Sequence, residues 1–244
     1  MNGELIVKKA EMAQGGVLVD PSAMLDNALK FQQLLMLYES AIKQVTTKLE
    51  ILEDEFQSKH KRNPISTIQS RVKEPLSIAE KLGRKGLDVT LDNMVNHLYD
   101  IAGIRVNCPF ISDVYNVTRM LLSQEDISLI KLKDYIKEPK KSGYRSLHVI
   151  VKAAVNFSDE KREIPVEIQI RTIAMDFWAS LEHQLRYKKD YQMPKDISKE
   201  LKSIADSIAA NDERMQNLAV RIPGFKLYDE NSLQENIRAA RQSG

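Results

Sequence analysis

The sequence predicts a single α/β domain carried between two long helices. Three features predict it: an apolar seam at helical spacing near the start, polar–apolar alternation in central segments, and a second helical seam near the end. Residues 1–23 show no sustained period and contain Gly15-Gly16, and are expected to form a loosely held leader. From near Asp26, Phe31, Leu35, Tyr38, Ile42, Val45, Leu49, Leu52 and Phe56 recur at alternating steps of four and three, one stripe of a long helix. The spacing then predicts helices over 75–86, 91–99, 111–124 and 172–187. Alternation predicts strands over Ile101 to Cys108, Leu147 to Lys152 and Val166 to Arg171, with Ile127 to Ile136 as a less regular fourth. The second seam is Ile197, Leu201, Ile204, Ile208, Met215 and Leu218, with Asn211 at a position where the pattern expects an apolar side chain. Both seams suit docking on the domain and contact between subunits alike. The domain is expected over 24–220, and 221–244, beyond the helix and through Pro223-Gly224, as a mobile tail.

Composition narrows the class further. A chain of 244 residues with 43% hydrophobic side chains buries a core without disulfides or structural metals, and Cys108 has no internal cysteine to pair with. Lys and Arg number 36 against 34 Asp and Glu, so attraction for polyanions has to come from local clusters. No apolar run of 18 residues and no signal-like start are present, which predicts a soluble cytoplasmic protein without membrane association.

Period two places Val166, Ile168 and Ile170 on one face of a strand and Glu167, Gln169 and Arg171 on the other. A sheet with one solvated face gives the same alternation, so the pattern alone fits both a solvated and a chemical surface. His148 and Arg105 likewise point away from their apolar neighbours. Asp100, at a strand entrance, and Glu167 form a plausible seat for Mg²⁺ completed by phosphate oxygens and water, unless Asp100 merely caps a helix or pairs with Arg105. Arg71 and Lys73 lead into a helix opened by Pro75, where Ser77 and Lys81 follow Lys73 at steps of four and Leu76, Ala79 and Leu82 are expected to face inward. Such a segment suits a polyphosphate, and a solvated basic face would look the same. A second basic cluster, Lys131, Lys133, Lys137, Lys140 and Lys141, runs into Gly143 and Tyr144, whose ring fits either base stacking or a core edge. Neither Gly-x-x-x-x-Gly-Lys-Ser/Thr nor Gly-x-Gly-x-x-Gly occurs, and His60, His97, His148 and His183 lack metal-site spacing, which excludes the familiar NTPase, dehydrogenase and metal phosphohydrolase readings.

Taken in order, Arg71-x-Lys73, Asp100-Ile-Ala-Gly-Ile-Arg105, Lys133-Asp-Tyr-Ile, Pro139-Lys-Lys-Ser-Gly-Tyr-Arg-Ser-Leu-His148 and Val166-Glu-Ile-Gln-Ile-Arg-Thr172 resemble the synthetase domain of the RelA/SpoT family. Without the hydrolase and regulatory domains of the long members, the chain looks like a stand-alone small alarmone synthetase. The resemblance implies a nucleotidyltransferase-like mixed sheet with flanking helices. It also implies transfer of the β,γ-pyrophosphate of ATP to the 3′-hydroxyl of GDP or GTP in the bacterial stringent response. On that footing Arg71, Lys73, Ser77, Lys81 and Arg105 bind ATP, Asp100 and Glu167 hold Mg²⁺ and are the catalytic pair, and Glu167 polarises the hydroxyl. Lys133, Lys140, Tyr144, His148 and Gln169 form the GDP/GTP side, while Ser142 stands where long members carry Asn. The family also implies a homotetramer. The rival readings are a non-catalytic RNA-binding module, which would not need Asp100 and Glu167 to be acidic, and a nucleotide-sensing scaffold.

Overall fold

Alternation at period two becomes, in the computed structural model, one five-stranded mixed sheet; the structure describes residues 21–186, 193–225 and 227. The strands are β1 (Thr67–Val72), β2 (Ala102–Cys108), β3 (Ile127–Asp134), β4 (Leu147–Asn156) and β5 (Lys161–Thr172), in the order β1-β2-β5-β4-β3. β2 and β5 are parallel, and the other neighbours are antiparallel. Among the described residues the helices are α1 (Pro21–His60), α2 (Pro75–Arg84), α3 (Leu91–His97), α4 (Ile111–Leu122), α5 (Ile173–Arg186) and α6 (Lys195–Val220). The expected leader and tail fall largely outside the described residues.

The chain divides into two compact units, Met1–Met36 and Leu37–Gly244. The described part of the first is the opening of α1, where Met24, Leu25, Leu29 and Met36 are exposed and Lys30 pairs with Asp26.

In the second unit the strands bury Ile104, Val106, Leu147, Val149, Val151, Ile168 and Ile170 on one face of the sheet. α4 is buried almost all round and packs on β2, β3 and β5. β1 escapes the sequence pattern because it is an edge strand whose side chains are exposed apart from half-buried Ile68 and Val72. β5 begins earlier than the alternation suggests, and it tolerates Pro165 because pairing with β2 starts only at Val166.

Of the seam on α1, Tyr38, Ile42, Val45, Leu49, Leu52 and Phe56 are buried within the chain, Val45 and Leu49 completely, and Phe31 and Leu35 are half-buried. Gln44 donates to Asp126 Oδ2 at 2.9 Å and to the Ala154 carbonyl at 2.8 Å, and Lys48 pairs with Asp126, so the helix docks at the β3–β4 end of the sheet. The seam expected on α6 is displaced. Leu201, Ala205 and Ala219 are buried and Ile208 packs beside them, whereas Ile197, Ile204, Met215 and Leu218 are exposed. The cause is that α6 docks through small and polar side chains: Asp212 accepts from Thr172 Oγ1, and Gln216 Oε1 accepts from the Ser112 amide at the start of α4. A pattern that counts only large apolar residues selects Leu201 and Ile208, which dock, together with a flank that stays exposed on the single chain. Asn211 is correspondingly exposed.

One buried ion pair fixes the connection from α1 into the sheet. Arg62 grips Asp113 with two parallel hydrogen bonds, at 2.8 and 2.6 Å, and Asp113 is fully buried in the first turn of α4. Burial pushes the Asp113 carboxyl up, against the opposing pull of Arg62. Arg62→Ala is expected to strand that carboxylate and cost about 3–5 kcal/mol of stability, read from the urea unfolding midpoint. A loss below about 1 kcal/mol, the range of an exposed pair, would contradict the clamp.

Candidate active site

Strand register assembles the site. One row across the sheet runs Lys133, His148, Gln169, Arg105, Gln69, and the next runs Lys131, Ile150, Glu167, Gly103, Arg71. Alternation puts both rows on the face opposite the core, with neighbours about 4.8 Å apart along each row. Gly103 leaves a gap between Glu167 and Arg71, and a Cβ there would meet nothing nearer than the Arg71 carbonyl at 3.7 Å. The gap belongs to a cavity of about 390 Å³ lined among others by Arg71, Lys73, Asp100, Arg105, Glu167 and Gln169.

Asp100, just before β2, receives hydrogen bonds from both Lys73 and Lys81 on the same oxygen, Oδ2. Burial alone would push its carboxyl up, but the two lysines outweigh it and hold it below the ordinary carboxylate value. The other oxygen, Oδ1, is buried and accepts no hydrogen bond. Burial also acts to raise Glu167, and hydrogen bonds from His148 and Gln169 overcome it, while the charge of Asp100 pushes the other way. Both carboxyls are therefore ionised near neutral pH in a shared cavity. No cluster of three or more His, Cys, Asp or Glu suited to a metal occurs among the described residues. Two carboxylates with one unsatisfied buried oxygen fit a cation that takes few protein ligands and completes its shell with phosphate oxygens and water, as Mg²⁺ does.

Of the other expected residues, Arg105 lies in the cavity, 3.5 Å from Asp176, with Arg71 and Arg171 close enough to interact electrostatically. Ser77 is half-buried on α2, outside the cavity lining. The inward face of α2 is Ile78 and Leu82, and Leu76, expected inside, is 72% exposed. The reason is phase: the i, i+4 pair 78/82 forms the buried stripe and position 76 falls on the far side. Lys133 is exposed opposite His148. Lys140 holds its ammonium 4.5 Å from the Tyr144 ring centre and 4.8 Å from that of Tyr135, a cation–π arrangement that a base stacking on that face of Tyr144 has to displace.

A chain of hydrogen bonds links these groups. Arg171 Nη2 donates to the Tyr144 hydroxyl at 2.8 Å, which leaves the hydroxyl proton for His148 Nε2, also at 2.8 Å. His148 Nδ1 then faces Glu167 Oε1 at 3.2 Å as the donor. Arg171, named on the polar face but given no role by the sequence, and Asp176, which the sequence reading passed over, complete it. Asp176 accepts from Arg171 Nη1 and Asn107 Nδ2, both at 3.0 Å. The available signal was an acid in the first turn of a helix directly following a strand that ends in Arg171-Thr172.

A family profile described as a region found in RelA / SpoT proteins matches residues 70–192. The chain is 47% identical to GTP pyrophosphokinase YwaC of Bacillus subtilis over 181 residues, 74% of this chain and 86% of that one. Its fold is similar to the crystal structure of small alarmone synthetase 2 from Bacillus subtilis, with a TM-score of 0.72 and 43% identity over 79% of this chain and 99% of that one. Small alarmone synthetase 1 from the same organism, solved with its product pppGpp, gives a TM-score of 0.72 at 32% identity over 80% of this chain and 98% of that one.

Because the Asp100 carboxyl is held below its ordinary value, its contribution to stability is full above the unfolded value of about 3.9 and is lost as pH falls through the lower folded value. Asp100→Asn is expected to flatten the loss of stability between neutral and strongly acid pH, measured by denaturant unfolding across that range. An acid slope unchanged by the substitution would contradict the assignment.

Proposed function

Because the chain belongs to the RelA/SpoT family, we propose that it is a GTP pyrophosphokinase, a small alarmone synthetase. It transfers the β,γ-pyrophosphate of ATP to the 3′-hydroxyl of GDP or GTP, releasing AMP and forming ppGpp or pppGpp. The observation that carries this reading is the partition of the site by sheet order. Arg71, Lys73, Ser77, Lys81 and Arg105 come from β1, α2, β2 and their connections, on one side of β5. Lys133, Lys140, Tyr144 and His148 come from β3, β4 and the loop between them, on the other side. Glu167 and Gln169, on β5, stand between the two groups, so a donor and an acceptor nucleotide can meet at Glu167.

Pyrophosphate transfer depends chiefly on in-line positioning and on neutralising charge, and both sides of the site offer cations for this. The arginines and lysines on the β1 side bind the ATP phosphates, and for Lys73 and Lys81 this means sharing or releasing Asp100. On the other side the Tyr144 ring stacks on guanine, with Lys133, Lys140 and His148 toward the phosphates and Gln169 at the inner edge. Glu167, ionised and oriented by His148, accepts the proton of the 3′-hydroxyl as its oxygen attacks the β-phosphorus and AMP departs. Asp100 and Glu167 would hold Mg²⁺, which when bound would supply charge neutralisation on the transferred group.

We assign this activity to a domain over 24–220 in a cytoplasmic protein; among the described residues no helix is long and apolar enough to cross a membrane. A homotetramer is supported by the exposed apolar residues Ile197, Ile204, Met215 and Leu218 on α6. RNA binding is disfavoured by two ionised carboxylates in the groove that its phosphates would have to enter.

Incubation with ATP, GDP and Mg²⁺ is expected to yield AMP and ppGpp in equal amounts, whereas binding without turnover would support the nucleotide-sensing reading instead. Glu167→Gln is expected to slow turnover at least about a hundredfold. In calorimetric titration with single nucleotides, Tyr144→Ala is expected to lose GDP affinity and Lys81→Ala to lose ATP affinity. Loss of the same nucleotide by both variants would contradict the partition.

A further inference from the structure

The loop that carries Tyr144 is closed by its own backbone hydrogen bonds, from the Gly143 amide to the Lys140 carbonyl at 2.8 Å and from the Lys140 amide to the Tyr144 carbonyl at 3.2 Å, and it is fastened as a unit to α6. Gly143 turns with φ +92°, and a Cβ there would lie 2.6 Å from the Ala205 Cβ, so the loop backbone rests directly on the helix. Tyr144 packs against a cluster of Trp178, Ala179, Leu201 and Ala205, in which the Trp178 indole donates to the Leu201 carbonyl at 2.9 Å. The polar fastener is Arg145. Its Nη1 donates to the Gly143 carbonyl at 3.1 Å and the Ala205 carbonyl at 3.3 Å, and its Nη2 to Asp206 Oδ1 at 3.1 Å. One guanidinium thus ties the residues on either side of Tyr144 to the helix, a geometry that suits a planar fork and that a lysine reproduces only in part.

We propose that Arg145 is a positioning residue for the guanine nucleotide: by clamping the 143–145 turn to α6 it presets the Tyr144 ring and the lysines preceding it for the acceptor. The inference rests on the assignment of Tyr144 to the acceptor side. Fixing the loop before binding reduces the ordering cost on nucleotide capture and makes no contact with the reacting atoms. Loss of the clamp therefore acts chiefly on acceptor binding; at saturation the bound base itself holds the Tyr144 ring, and with it the hydroxyl contact to His148.

The test is steady-state kinetics with each substrate varied, together with calorimetric GDP titration and thermal melting, on the full chain. Arg145→Ala is expected to raise KM for GDP and weaken GDP binding by about three- to tenfold, the loss of one or two net hydrogen bonds, with kcat at saturation and KM for ATP unchanged. Arg145→Lys, which keeps the charge for Asp206 without the fork, falls between. Asp206→Ala raises KM for GDP less than Arg145→Ala and adds little to it in the double variant. Lys202→Met, which removes the other cation on Asp206 but keeps the stem beside Gly143, leaves both KM values unchanged. GDP affinity indifferent to Arg145, or both KM values and the melting temperature shifting together without recovery in Arg145→Lys, overturns the proposal. Absence of ppGpp formation by the unmodified chain is a separate result and overturns the assigned activity.

Discussion

The register of β5 against its two neighbours is the constraint on which the site depends. Ile168 and Ile170 are completely buried while Glu167 and Gln169 face the cavity, so a slip of one residue would drive a carboxylate into the core and an isoleucine into water. The apolar face thus holds the polar face in place. Through β2 the same register brings Arg105 beside Gln169 and the gap at Gly103 beside Glu167, and through β4 it brings His148 beside Gln169. Packing energy on one side of the sheet sets catalytic geometry on the other.

The charges that this register gathers are only partly satisfied within the chain. Asp100 has two lysines on one oxygen and nothing on the other, and Arg105, Arg71 and Arg171 crowd the same region with Asp176 as the nearest compensating acid for Arg105. A buried carboxylate oxygen without a donor and cations crowded on one another are costly in a protein standing alone, and the cost falls when a polyphosphate and a divalent cation enter together.

Much of this was legible in the sequence, for reasons that also explain the gaps. Alternation along Val166 to Arg171 separates core from site because strand periodicity is a property of the backbone, and His148 and Arg105 follow the same rule. The α1 seam from Tyr38 to Phe56 was readable because it buries large side chains. β1 was not, because an exposed edge strand has no apolar face to display, although it carries Arg71 and Gln69 to the rim of the cavity. The docking face of α6 was legible only at Leu201 and Ile208, because Ala205, Asp212 and Gln216 hold the rest of it through close approach and hydrogen bonds, which leave no hydrophobic signature. Asp176 and Arg145 escaped for a related reason: Asp176 meets Asn107, and Arg145 meets Ala205 and Asp206, only in the folded chain.

The central claim is that Asp100 and Glu167 hold one divalent cation between a donor and an acceptor half of the sheet. A crystal structure with Mn²⁺ and α,β-methylene ATP tests it most directly, because anomalous scattering locates the metal independently of the protein density. The account predicts a single Mn²⁺ peak in direct coordination with an oxygen of each carboxylate, at roughly 2.0–2.2 Å, with the nucleotide phosphates on the side of Arg71 and Lys73. A peak coordinated by neither carboxylate, or phosphates seated on the Lys133 and Tyr144 side, would contradict it.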